Sequence, residues 1–325
     1  MRRTYELKNS LKFKVQSLKL VCSKLKTLHI TLILYLISSL LFPIPAFASR
    51  AEWKDALGHI VRLKSYPPQR IISLAPNITE ILYSLGVQDR IVGVTDVCKY
   101  PSEARKKEKI GGFINPNLEK IVSLNPELVI QTADSNQQRI YDQLVKLKIP
   151  VYVINPIDLE KTFQSIARIA ELCGKKKESD NLILTLKQRV DNVRKKVKNV
   201  YHPQVLFLWS EEPLITAGKN TFTDNLIELA GGNNIAHDSN IKYPKFSMEE
   251  ILKRKPEIII TSAMDEDKSP KTILEKWQTW TDILAIKNKR VYSIDSDLLA
   301  RPAPTIVDGL EKLAQIIHPE LFKDK

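Results

Sequence analysis

One stretch of this chain occurs twice, at an offset of 130 residues. Leu118-Glu119-Lys120-Ile121, followed by Asn125-Pro126-Glu127-Leu128-Val129-Ile130, is matched by Met248-Glu249-Glu250-Ile251, followed by Lys255-Pro256-Glu257-Ile258-Ile259-Ile260. Each copy reads as a short helix that opens with an acid, a Pro-Glu turn, and a buried β-branched strand. A looser pair is Asn77 to Gly86 against Asn220 to Gly231. A repeat visible within one sequence predicts duplicated architecture. Two similar lobes follow from it, and small ligands favour the crevice between such lobes.

The rest of the chain agrees with a duplicated α/β fold. Short β-branched runs predict strands at 71–74, 91–94, 128–131 and 151–154, with helices between them, including one from Asn77 that stops at Gly86 and one from Leu118 that stops before Pro126. The alternation halts from Leu159 to Lys198. There Leu182, Leu186, Val190, Val193 and Val197 recur at helical spacing, which predicts a long helix entered through a break near Gly174. Strands resume at 205–209, 214–217, 258–261 and 291–294. The expected fold class is α/β, with two similar three-layer α/β lobes joined by a single long α-helix. The expected segments are an export signal over 1–48, an N-terminal extension over 49–69, an N-terminal lobe over 70–157, a connecting helix over 158–199 and a C-terminal lobe over 200–325.

The export signal rests on charge and hydropathy together. Residues 1 to 26 carry eight bases against Glu6, an uncharged stretch runs from Thr27 to Ser49, and Pro43, Pro45 and Ala46-Phe47-Ala48 follow its apolar block, Ile30 to Phe42. This pattern predicts cleavage after Ala48. The block is shorter than the ~20 residues of a membrane span, which argues against an uncleaved anchor. Arg2-Arg3 stands too far from the block for a twin-arginine signal. No cysteine follows the block, so no lipid attachment is expected, and the mature protein is expected free in a periplasm. Removing 1–48 leaves 42 bases and 36 acids, and the balance falls from +13 to +6. A balance of that size, without clustered bases interleaved with aromatics, does not call for nucleic acid.

Motifs of chemistry are absent. The chain has no nucleophile elbow, no Cys-x-x-Cys and no phosphate loop, and its 10 glycines leave little for a phosphate cradle. Neither a catalytic residue nor a metal ligand is assigned, because His59, His202, His237 and His318 are widely spaced. Cys98 and Cys173 remain in the mature chain, and the sequence alone does not decide whether they pair.

Asp55-Ala56-Leu57-Gly58, then Arg70-Ile71-Ile72-Ser73-Leu74-Ala75-Pro76-Asn77-Ile78-Thr79-Glu80-Ile81-Leu82-Tyr83-Ser84-Leu85-Gly86, resembles the opening of periplasmic binding proteins for iron complexes and cobalamin. Ile91 to Val94, Asn117 to Val122, Asn125 to Ile130 and Ala217-Gly218-Lys219 continue the resemblance, which spans nearly the whole mature chain and is strongest for the cobalamin-binding branch. It implies the helical-backbone, class III architecture, a protein that is not an enzyme and has no cofactor, and a corrinoid cargo, cobalamin or cobinamide. It also implies that a monomer delivers the cargo to the transmembrane permease dimer of an ABC importer.

Local matching to that branch puts Phe113, Trp209, Tyr243, Asp297 and Arg301 at ligand-contacting positions. A corrin is a broad apolar plate rimmed by amides, so aromatic surface with a few fixed polar groups suits it. The plainer readings are a core position for Trp209, loop cover for Tyr243 and an i,i+4 surface pair for Asp297 and Arg301. Val97 and Thr132 stand where the branch places aromatics. Glu119 and Glu249 occupy equivalent first helical turns. There an acid stabilises the helix dipole by ~0.5 kcal/mol, and Ser247 with Glu250 reads as a capping box. The resemblance implies a further role for Glu119 and Glu249, docking onto arginines of the permease. The alternative cargoes are haem, which wants a His or Tyr ligand, and a ferric siderophore, which wants clustered bases. An alternative of another class is an enzyme acting on a tetrapyrrole or metal complex.

Overall fold

Two strands, β1 (Glu52–Lys54) and β2 (Ile60–Arg62), form an antiparallel hairpin ahead of the repeated units. The computed structural model describes residues 52–133, 138–262 and 270–322. The expected export segment and its cleavage point lie outside them. No helix among the described residues is long and apolar enough to cross a membrane.

The first sheet has the order β4-β3-β5-β6 and is parallel throughout. Its strands are β3 (Ile71–Ser73), β4 (Ile91–Val94), β5 (Leu128–Thr132) and β6 (Val151–Ile154), connected through α1 (Pro76–Ser84), α2 (Leu118–Ser123) and α3 (Gln138–Lys146). Every residue of β3, β5 and β6 is buried, as expected for parallel strands covered on both faces.

Two helices follow, α4 (Leu159–Cys173) and α5 (Lys176–Val197). The Asp158 side chain caps the first by accepting from Lys161 N–H at 2.7 Å. Gly174 ends it in the left-handed region, φ 67°, where an L side chain would be strained. The break therefore falls where the sequence placed it, and the 22-residue α5 begins two residues later. Helix α5 buries Leu186, Val190, Val193 and Val197, and burying each such side chain contributes about 1.5–3 kcal/mol.

The second sheet has the order β11-β10-β7-β8, with β9 also paired to β7. Its strands are β7 (Gln204–Glu211), β8 (Leu214–Thr216), β9 (Asn233–Asn234), β10 (Ile258–Ser262) and β11 (Val291–Ile294). The helices of this part are α6 (Phe222–Leu229), α7 (Met248–Arg254), α8 (Pro270–Trp277), α9 (Leu284–Lys287), α10 (Asp297–Ala300) and α11 (Ile306–Ile317). Strand β8 runs antiparallel to β7; the pairings of β10 are parallel. The connector packs on both parts: α5 lies against α4, which touches α1, and against α11. Arg189 of α5 fastens the latter contact with 2.6 Å ion pairs to Asp308 and Glu311. One apolar core runs from Ile71 through Ile166 and Leu186 to Phe207 and Leu310.

The two copies of the repeat fold alike to the level of single bonds. Asn117 caps α2 by accepting from Lys120 N–H at 2.9 Å, and Ser247 caps α7 by accepting from Glu250 N–H at 3.2 Å. Each helix is followed by a residue at positive φ, Asn125 at 46° and Lys255 at 49°. The glutamate of each Pro-Glu pair then holds the start of the neighbouring strand. Glu127 accepts from the backbone N–H groups of Gln69 and Arg70, and Glu257 accepts from Gln204 N–H at 2.8 Å. These bonds hold the Glu127 carboxyl below its ordinary pKa. The expected capping box is only half made, because the Glu250 carboxylate turns to Arg254 Nε at 2.6 Å instead of back to Ser247.

Cys98 and Cys173 are both buried and unpaired. The Cys98 sulfur lies 3.2 Å from the Thr79 hydroxyl inside the core. Burial pushes the Cys173 thiol up to about 12.

Candidate functional site

Parallel strands leave their carboxyl ends on one side of a sheet, and ligands of open α/β folds bind just outside those ends. Here the first sheet delivers loops from these ends, and the second sheet one such loop with two others, to one cavity of about 580 Å³. From the first sheet come Ala75 to Asn77 after β3, Thr132-Ala133 at the end of β5, and Asn155 to Ile157 after β6. From the second come Asn220 to Phe222 at the start of α6, the Lys242-Tyr243 loop, and Asp297 to Pro302 after β11. Phe113, after the Gly111-Gly112 turn, joins the lining.

Four of the five residues singled out in the sequence therefore lie together: Phe113, Tyr243, Asp297 and Arg301. Trp209 does not line the cavity. Its ring packs edge-on against Phe207, 4.9 Å between centroids and 73° between planes, and its indole N–H is buried without a hydrogen-bond partner among the described residues. The register of β7 against β8 slips between Leu208 and Ser210, and an irregularity of this kind re-aims the side chain beside it. Thr132 lines the cavity, whereas Val97 is exposed outside it.

Arg301 is the best-anchored polar group of the lining. Its side chain is 11% exposed and pairs with Asp297, so the i,i+4 pair exists; the same guanidinium also lies 3.5 Å from the Glu80 carboxylate and 5.6 Å from the centre of the Tyr100 ring. Glu80 belongs to α1, beside the other sheet. Its carboxylate accepts from the Thr305 backbone N–H at 2.8 Å and from the Thr305 hydroxyl at 3.0 Å. Burial raises the Glu80 pKa above its ordinary value, with the Thr305 bonds and Arg301 opposing the rise. Sequence reasoning missed Glu80, Lys242 and the Asn155 to Ile157 loop. Position at a strand's carboxyl end was the available signal for the loop.

The lining combines aromatic faces with amide, hydroxyl and guanidinium groups, and its described residues include neither histidine nor cysteine. That composition suits non-covalent capture. Glu119 and Glu249 lie apart from it. Both are exposed in the first turns of α2 and α7, and neither makes an ion pair among the described residues.

Residues 71–298 match the family model described as "Periplasmic binding protein". An uncharacterized ABC transporter substrate-binding lipoprotein of Bacillus subtilis, YvrC, is 34% identical over 278 residues, covering 83% of this chain and 86% of the relative. The crystal structure of the periplasmic vitamin B12 binding protein BtuF of Vibrio cholerae superimposes with a TM-score of 0.68 at 27% identity, over 79% of this chain and 99% of that one. The periplasmic heme-binding protein RhuT of Roseiflexus sp. RS-1 does so at 0.69 and 26%, over 78% and 99%. These matches bear out the resemblance drawn from Arg70 to Gly86 and the class III fold expected with it. The chain belongs to the periplasmic binding protein family and is a substrate-binding protein, not an enzyme.

Proposed function

We propose that this protein captures a corrinoid, cobalamin or cobinamide, in the cavity between its two sheets. It then hands the cargo, outside the cytoplasmic membrane and as a monomer, to the permease dimer of an ABC importer. The observation that carries the cargo reading is the make-up of the lining: aromatic rings Phe113, Phe222 and Tyr243 stand with the amides of Asn77, Asn155 and Asn220 and with Arg301. An apolar macrocycle edged with amides finds ring faces and hydrogen-bond partners in such a set. Similarity to a vitamin B12 binding protein supports the same reading. Delivery rests on the resemblance to importer-binding proteins and on Glu119 and Glu249, whose equal placement suits a two-fold partner.

Haem is the second cargo, because Tyr243 brings one phenol to the lining and a heme-binding protein shares the fold. Calorimetric titration of the purified protein with cyanocobalamin, cobinamide, haemin and ferric siderophores separates the readings. Saturable binding of a corrinoid is expected. Silence with both corrinoids overturns the proposal, and haemin binding that is lost in Tyr243→Phe establishes the second cargo in its place.

A further inference from the structure

Asp224 and Glu228 stand four residues apart on α6, so they share one face of the helix. The chain then turns at Gly231, φ 80°, passes through β9 and returns His237 to that face. The His237 Nδ1 lies 3.1 Å from each oxygen of Asp224 and 3.2 Å from Glu228 Oε1. One donor atom from each of the three residues falls within 4.8 Å of the others. We propose that Asp224, Glu228 and His237 bind one divalent transition-metal ion of the zinc class, at a site separate from the cargo cavity.

Three observations carry the assignment. The first is distance. A tetrahedral ion with bonds of about 2.0–2.2 Å has donor-to-donor edges of roughly 3.3 Å, close to the spacing of Nδ1 from both carboxylates. The second is orientation. Asp224 is 4% exposed, and its Oδ1 accepts from the Asn234 amide at 2.7 Å; that amide also donates to the Ala217 carbonyl, and its oxygen accepts from Ala236 N–H. A buried group that fixes a carboxylate in this way is the outer support a metal ligand needs.

The third is charge. Thr79-Glu80 and Thr223-Asp224 are equivalent in the looser repeat, at an offset of 144. Both acids are buried, yet Glu80 meets the Arg301 guanidinium whereas Asp224 meets a second carboxylate and one imidazole. No lysine or arginine among the described residues pairs with Asp224 or Glu228. A protonated imidazole neutralises one of the two negative charges; a divalent cation neutralises both. One nitrogen with two oxygens selects zinc-like ions over magnesium and calcium, which take oxygen sets. The widely spaced histidines gave no hint of the site, because its other two ligands lie on a helix thirteen and nine residues earlier.

Bound metal would clamp the first turns of α6 to the segment that leads from His237 to Lys242 and Tyr243. Equilibrium dialysis of the full-chain protein against zinc tests the site, with His237→Ala, Glu228→Gln and, as control, His59→Ala. Expected are one ion per chain, affinity weakened at least about ten-fold by each of the first two changes, and no effect of the control. Cobalt in place of zinc should give the visible bands of a four-coordinate ion in the wild type and lose them in His237→Ala. Circular dichroism verifies that each variant is folded. No zinc uptake by the wild type, or equal uptake by folded His237→Ala, overturns the assignment. The readout is zinc alone, so either outcome leaves the cargo reading standing.

Discussion

The Glu80 carboxylate of α1 accepts from both the backbone N–H and the hydroxyl of Thr305, the residue immediately before α11, 225 positions further along the chain. Helix α11 has no side-chain cap of its own. An acid carried by the first half of the chain supplies the missing acceptor and lies at the positive end of the helix dipole. The same carboxylate lies 3.5 Å from Arg301 in the cavity lining. A residue of the cavity lining, a helix end and the opposite lobe are thus held by one buried group.

Replacing Glu80 with alanine should therefore cost about 3 kcal/mol, as removing one partner of a buried charged pair does. Urea unfolding followed by fluorescence measures it. Glu80→Gln keeps an acceptor for Thr305 and loses only the ionic part, so its loss should be smaller. Equal losses in the two variants would show that the Thr305 bonds contribute nothing.

The proton of Glu80 gives a second test. Burial is the largest influence and raises the pKa above the ordinary 4.5, while Thr305 and Arg301 lower it. The folded protein then holds this proton at pH values where the unfolded chain has lost it. The stability linked to Glu80 is fully present below the unfolded value and declines as pH rises through the folded one. Carbon-detected NMR of the side-chain carboxyl should place the midpoint above 4.5, and Arg301→Ala should move it higher still. A downward move in that variant would contradict the assigned role of the guanidinium.

The fold was legible because its signals are local. Pro126-Glu127 and Pro256-Glu257, the apolar runs behind them and the Gly174 stop each act within a few residues, and eight strands lie within about two residues of where β-branched runs put them. The hairpin of β1 and β2 was missed because three residues apiece carry too short an alternation to read, and β9 is shorter still. The site was legible only where it matched a known pattern. Glu80 occupies an interior turn of an amphipathic helix, and nothing beside it in the sequence announces Thr305 or Arg301. Trp209 was expected at a strand end, but β7 runs two residues past it to Glu211, and the one-residue register shift against β8 between Leu208 and Ser210 is invisible to residue spacing.

Lys255 pays a conformational penalty that its repeat partner largely escapes. Both it and Asn125 adopt the left-handed region, which costs most L-residues roughly 1–2 kcal/mol and asparagine less. Lys255→Gly should stabilise the protein by about 0.5–1 kcal/mol after the added freedom of the unfolded chain is counted, and Asn125→Gly by less. Thermal melts of the two variants give the comparison, and a destabilised Lys255→Gly would mean that its side chain makes a contact worth more than the backbone strain.

Docking through Glu119 and Glu249 predicts a separation of binding from transport. Both side chains are exposed in the first turns of α2 and α7, so their loss should change helix stability by no more than about 1 kcal/mol each. Neither lines the cavity, so Glu119→Ala with Glu249→Ala should leave calorimetric cargo affinity unchanged. Uptake by cells that carry the importer should fall, and the fall should exceed that of either single variant, because the two charges would meet two subunits of one dimer. Charge reversal to lysine should be worse than removal, since like charges at an interface repel. Higher salt should slow docking of the wild type and leave the double alanine variant indifferent. Normal uptake by the double variant would remove both glutamates from the interface.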